Sequence, residues 1–220
     1  MDGLSYELVH KVKKAHIDFP FKPSPSTRMA KWYCVIEVSG ETPEELTDHF
    51  TSLAEVLDDK KMLQNMFISE NLKQFANIWD IRDSMGEALS LSGLNISIDV
   101  SLDINKFQEL VDRTRDLVSK FDCVIDVLGF GHVGDGNLHL CVLLNDDTQV
   151  HAVESLVDEY VVEYVRNLGG SISAEHGVGV MKAGYLERVK GKEVMDVVRD
   201  VKMMFDPNNI LNSGKVFDKF

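Results

Sequence analysis

The chain has 220 residues, 44% of them hydrophobic, and a formal net charge of −13 at pH 7. A chain of this size buries roughly 70% of the surface its unfolded form exposes, so it needs neither a disulfide nor a structural metal to fold, and one compact domain with a short tail is the natural count. The acidic balance excludes nucleic acid and an anionic membrane surface as partners, because both would repel it.

In chain order, residues 2–14 read as a short helix, and Pro20, Pro23 and Pro25 mark a connecting loop over 19–30. Residues 31–39 are β-branched and aromatic and predict a strand. Thr42-Pro43-Glu44-Glu45 opens a helix to about Leu57, with Thr42 as N-cap, Pro43 at the first position and Glu45 three residues after the cap. A strand is expected near Met62–Ser69, then helical spacing from Asn71 to Leu89. Asn95–Leu102 alternates as a strand, with Ile96, Ile98 and Val100 on one face and Ser97, Asp99 and Ser101 on the other. A helix over Asp103–Lys120 and a buried strand over Asp122–Gly131 follow. Asp147–Leu168 is a long helix ended by Gly169-Gly170, and Ser171–Ala174 is a short strand. Two helices near 180–188 and 191–204 close the chain before Pro207. This order fits an α+β fold with a mixed sheet and helices on one face.

Cys34, Cys123 and Cys141 are the three cysteines and form no Cys-x-x-Cys pair. That usage suits reduced thiols in an intracellular setting, cytoplasmic or mitochondrial. No signal peptide or apolar run of membrane-spanning length is present, although an upstream targeting segment could be missing.

The most informative stretch is Gly129-Phe-Gly-His-Val-Gly-Asp-Gly-Asn-Leu-His-Leu140. Asp135-Gly136 suits a tight hairpin turn. A turn centred there sets His132 directly opposite His139, with Cβ atoms about 4.5–5.5 Å apart. Glu175 and His176 follow in Ser173-Ala174-Glu175-His176-Gly177. Two imidazoles and one carboxylate, His132, His139 and Glu175, make a three-ligand site with open positions, which suits catalysis. The plain alternative is a polar hairpin near the surface. Cys141 follows His139 by two residues in the strand, so it shares that face and is a candidate fourth ligand. A small buried cysteine is the plainer reading.

These segments, with Trp79-Asp80-Ile81-Arg82 and the run Phe205–Lys215, resemble FAD-dependent D-2-hydroxyacid dehydrogenases of the vanillyl-alcohol-oxidase type. The group includes D-2-hydroxyglutarate and D-lactate dehydrogenases. The resemblance implies a largely antiparallel sheet of ferredoxin-like units. It assigns a divalent metal, zinc or manganese, to His132, His139 and Glu175, and makes His176 the general base. Arg82, Ser97 and Cys141 would contact the substrate, and Asn212 and Lys215 the flavin. Family members are about twice this long, with the flavin-binding half first, so FAD would be held mainly by a domain absent from this chain, in cis or in trans. The implied segments are an N-terminal helix and linker (1–30), a substrate domain (31–178) and a helical segment facing the flavin domain (179–220).

The implied function is the substrate- and metal-binding part of a dehydrogenase that oxidises a D-2-hydroxyacid to a 2-oxoacid, inactive without its flavin half. Three departures matter, and the first two, which remove a hydroxyl donor and a cation, point away from a dicarboxylate substrate. The family's D-2-hydroxyglutarate enzymes carry Thr, Lys and Asn where this chain has Gly86, Ser97 and Cys141, and a buried carboxylate without a partner is costly. The alternative is a non-catalytic cap domain that binds a protein partner.

Overall fold

The structure, a computed structural model, describes residues 1–23 and 30–217. Pro25 and half of the connection expected over 19–30, residues 24–29, lie outside the described residues. The chain divides into two compact units, Met1–Leu91 and Ser92–Phe220. That boundary falls inside the segment 31–178.

The first unit is helical: α1 (Gly3–Lys13), α2 (Pro43–Asp59), α3 (Leu72–Asp83) and α4 (Met85–Ser92). Its helix starts follow from capping side chains. Asp2 accepts the Ser5 N–H at 2.8 Å. Thr42 accepts from Glu45 at 3.2 Å, while the Glu45 carboxylate reaches back to the Glu41 N–H at 2.9 Å. The helix expected over Asn71–Leu89 breaks at Ser84 into α3 and α4. The ring of Tyr6 stacks on Tyr33 with centroids 3.9 Å apart.

The strands expected over 31–39 and 62–69 do not form. Trp32 makes one isolated bridge, to Asp2, and the remaining residues join no ladder. Val35 and Ile36 are exposed, as is Met62. β-branched composition favours a pleated surface, but it makes a strand only where a neighbour supplies the ladder and a face to bury.

The second unit contains the sheet: β1 (Leu94–Ser101), α5 (Phe107–Val118), β2 (Val124–His132), β3 (Asn137–Leu144), α6 (Val150–Asn167), α7 (Ala183–Lys190) and α8 (Lys192–Phe205). The three strands run antiparallel in the order β1-β3-β2. β3 is central, and all eight of its residues are buried. Ser171, expected in a short strand, makes one antiparallel bridge to Ser101 on the outer side of β1. The β-α-β-β-α sequence with this bridge traces one ferredoxin-like unit, its fourth strand reduced to a single pair.

Strand alternation gives the sheet two different faces. Ile96, Ile98 and Val100 share one with Leu138, Leu140 and Val142, and all six are buried. Helix α5 lies on β2, α6 lies on β1, and the two helices touch each other, so both cover this face. They contribute the buried side chains of Leu110, Val111, Val157 and Val161. The opposite face carries Ser97, Asp99, His139, Cys141 and His132, and it is where the chemistry-bearing residues gather.

The C-terminal helices attach through polar and apolar contacts together. Arg188 of α7 grips Glu159 of α6 with two bonds of 2.7 Å. Leu186, Met195 and Phe217 form a small buried cluster against Val178 and Val216.

Candidate metal centre

The hairpin register differs from the expected one by two residues. His132 pairs with Asn137, and Phe130 pairs with His139. The reason is the turn. Val133–Asp135 form one 3-10 turn and Gly136 alone takes the left-handed conformation, φ +62°, so four residues rather than two make the connection. A shift of two residues preserves the face. His132 and His139 are therefore diagonal neighbours on one surface, with ring centroids 5.7 Å apart and edge to face. Gly131 supports this geometry: a Cβ there would stand 2.2 Å from the Asn137 carbonyl oxygen.

The loop after Ser171 brings the third group. Glu175 Oε1 lies 2.9 Å from His139 Nε2, 3.8 Å from His132 Nε2 and 3.6 Å from His176 Nε2. One carboxylate oxygen is thus within reach of three imidazoles. The His176 ring stacks on His139 at 5.2 Å. Ligand atoms of Asp99, His139, Glu175 and His176 all lie within 4.8 Å of one another. His139 is 8% exposed, whereas Glu175 and His132 side chains are open to solvent, so the cluster runs from floor to surface. Burial holds His139 below the usual imidazole range, against the opposing pull of Glu175 and Asp99.

Asp99 was absent from the expected site residues, yet it organises the cluster. It is 2% exposed and sits directly opposite His139 in the β1–β3 ladder. Its Oδ2 accepts the backbone N–H groups of Ala174, Glu175 and His176 at 2.9, 2.9 and 3.0 Å. Its Oδ1 lies 3.5 Å from His139 Nδ1 and has no hydrogen-bond donor. Burial alone would raise this carboxyl, but the N–H donors of His176 and Glu175, with nearby positive charge, bring it below its ordinary value. Lys182 Nζ donates to the Asp99 carbonyl at 2.9 Å and also to that of Ile172, tying the loop to β1. The available signal in the sequence was an acid in the middle of an alternating strand; its pairing with a histidine comes from the ladder.

Among the described residues that group includes neither Cys141 nor His132, whose Nε2 stands 3.8 Å from Glu175 Oε1 while His176 takes the place expected for it. The Cys141 sulfur lies 3.2 Å from Ser97 Oγ, and both residues line a small pocket of about 120 Å³ with Ile98, Phe130, His139 and His176. Among the described residues no lysine or arginine lines it. Arg82 belongs to the first unit, at the end of α3, with its Nη1 3.2 Å from Asp83 Oδ1. Asn212 and Lys215 lie on the exposed turn after α8, joined by a backbone bond of 3.1 Å.

The donor set fits a borderline divalent metal: imidazole nitrogens and a carboxylate converge, and a buried carboxylate oxygen faces the far nitrogen of the central imidazole. Fold and site together define a ferredoxin-like α+β domain with an imidazole–carboxylate centre at one end of its polar face. Comparison gives the particular family. Residues 1–216 match the C-terminal domain of FAD-linked oxidases, and the chain belongs to that family. It is 32% identical to the mitochondrial D-2-hydroxyglutarate dehydrogenase of Arabidopsis thaliana, covering 98% of this chain and 37% of that protein. It is 30% identical to the D-2-hydroxyglutarate dehydrogenase of Stutzerimonas stutzeri, over 89% of this chain and 42% of that one. A mitochondrial Schizosaccharomyces pombe protein named as a D-lactate dehydrogenase is 30% identical over 94% of this chain and 41% of its own length. The chain spans about two fifths of the length of these curated relatives. No helix among the described residues is long and apolar enough to cross a membrane.

Proposed function

We propose that this chain is the substrate- and metal-binding part of an FAD-dependent dehydrogenase that oxidises a D-2-hydroxyacid to a 2-oxoacid, working in the cytoplasm or mitochondrion. The observation that carries this reading is the meeting of Glu175 Oε1 with His139, His132 and His176 beside a small pocket. His132, His139 and Glu175 would hold zinc or manganese, and a flavin-binding half in cis or in trans would hold FAD. When bound, the metal polarises the substrate hydroxyl and FAD accepts the hydride.

The chain's own residues do the rest. His176, stacked on His139, accepts the hydroxyl proton at its imidazole. The loop carrying Glu175 and His176 is held by Asp99 and Lys182, so the base keeps its place. Ser97 and Cys141 form the pocket wall that faces the substrate side chain. Among the described residues that wall carries no lysine or arginine, which supports a short, uncharged side chain such as that of D-lactate over a second carboxylate. Arg82 would hold a substrate carboxylate through its planar fork. Asn212 and Lys215 would contact the flavin. The apolar side of α8, with Val197 62% exposed and Phe205 81% exposed, is the surface assigned to the flavin-binding half.

The test is turnover by this chain joined to a flavin-binding half, with a dye acceptor and D-lactate beside D-2-hydroxyglutarate. Dye reduction with D-lactate, lost in His176→Ala, is the expected result. No reduction with any D-2-hydroxyacid by a flavin-loaded preparation would refute the reading.

A further inference from the structure

Asp99 divides its two carboxylate oxygens between two segments that are distant in sequence. Oδ2 gathers three consecutive N–H groups, those of Ala174, Glu175 and His176. This shapes the backbone that presents Glu175. Oδ1 stands 3.5 Å from His139 Nδ1 and receives no hydrogen bond, although it is fully buried. A buried acceptor left unmade is costly, so its surroundings should supply a donor. The neighbour in position to do so is the ring of His139.

A neutral imidazole has one N–H and one lone pair, and the partner of one nitrogen sets the state of the other. With Nδ1–H aimed at Asp99, the Nε2 lone pair points toward Glu175, where a cation would sit. With the proton on Nε2, that nitrogen is blocked and two lone pairs face each other across the Asp99 gap. Asp99 and His139 are paired directly in the ladder, so backbone register fixes their meeting.

We propose that Asp99 is the positioning residue of this centre: Oδ1 fixes His139 as the Nδ1–H tautomer while Oδ2 holds the backbone that delivers Glu175. The inference rests on the metal reading above for its purpose, though not for its test. Asparagine separates the two duties. Its oxygen can still accept the N–H groups of residues 174–176, but its amide then turns a donor toward Nδ1. The favoured tautomer becomes Nε2–H, and metal affinity falls with the fold intact. A carboxylate-to-amide change at a histidine acts in the same way in the serine-protease triad.

The experiment uses the 220-residue chain, metal-free and ¹⁵N-labelled at histidine, at one slightly alkaline pH. In Glu175→Ala the competing carboxylate at Nε2 is gone, and the Asp99→Asn change within that background isolates the effect of Asp99 from that of the neighbouring His132 and His176 rings. The expected spectrum places the His139 proton on Nδ1 in Glu175→Ala and on Nε2 in Glu175→Ala/Asp99→Asn. Amide exchange at Ala174, Glu175 and His176 stays slow in Asp99→Asn, which a purely structural role would also give. In parallel, zinc titration of Asp99→Asn should show a loss of affinity of about 10–100-fold. A Nε2–H tautomer in Glu175→Ala, or zinc affinity in Asp99→Asn equal to that of wild type, would overturn the proposal. A wild-type chain that binds no metal would refute the metal reading, while the Glu175→Ala spectrum still decides the role of Asp99.

Discussion

His139 Nε2 and Glu175 Oε1 stand 2.9 Å apart, one from the central strand and one from a loop beyond α6. The contact exists because Asp99 holds both ends: its strand pairs with that of His139, and its carboxylate collects the N–H groups beside Glu175. Lys182 adds a clamp from the far side of the same loop. The sheet therefore supplies a floor and the loop a carboxylate placed by partly buried hydrogen bonds.

Cys141 lies with Ser97 and outside the ligand group. Cys141→Ala should leave zinc affinity unchanged within about twofold, since no ligand is removed. A tenfold loss would restore the sulfur as a ligand. In the flavin-complemented enzyme, Ser97→Lys should raise kcat/KM for D-2-hydroxyglutarate relative to D-lactate by about tenfold or more, because a cation in the pocket wall partners the second carboxylate. An unchanged ratio would place the side-chain site elsewhere.

Gly131 meets the Asn137 carbonyl so closely that a Cβ would stand 2.2 Å from its oxygen. Backbone must move to admit it. Gly131→Ala should therefore cost about 1–3 kcal/mol in urea denaturation and weaken metal binding by displacing His132. A variant as stable as wild type would show that the hairpin relaxes freely.

The pH dependence of stability carries a definite sign. Burial depresses the His139 pKa in the folded chain below its ordinary value of 6.5. As pH falls through about 6.5, the unfolded chain takes up this proton first, so folding stability declines until the folded pKa is passed. Asp99 acts in the same direction at more acidic pH, since its depressed pKa gives stability that is present above the ordinary carboxylate range and lost below it. Metal-free chain should be less stable at pH 5 than at pH 8, with a smaller loss in His139→Gln. Equal losses in the two proteins would remove His139 from the account.

Helix α8 buries Met195 and leaves Val197, Val201 and Phe205 largely exposed. Val197→Asp should change the stability of this chain by no more than about 0.5 kcal/mol, as expected of a surface position. The same change should abolish association with the flavin-binding half in size-exclusion chromatography. Full association by the variant would free this face of the assigned role.

Much of this arrangement could be read from the residues. The capping pattern around Thr42 located α2, and alternation in Asn95–Leu102 located β1 and its two faces. His132 and His139 were placed on one face correctly although not in register, because a two-residue slip leaves the side-chain period intact. The segments 31–39 and 62–69 misled because strand composition says nothing about whether a neighbouring strand exists. Asp99 was read as one polar residue among several. Its role depends on its ladder partner and on a distant loop, neither of which local periodicity encodes.

The most direct test of the central claim is metal content, measured by plasma mass spectrometry on the 220-residue chain purified after zinc or manganese exposure, beside His132→Ala and His139→Ala. The account predicts about one ion per chain in wild type and loss in both variants, as expected of a three-ligand site. A wild-type chain without metal, or metal retained in both variants, would contradict it.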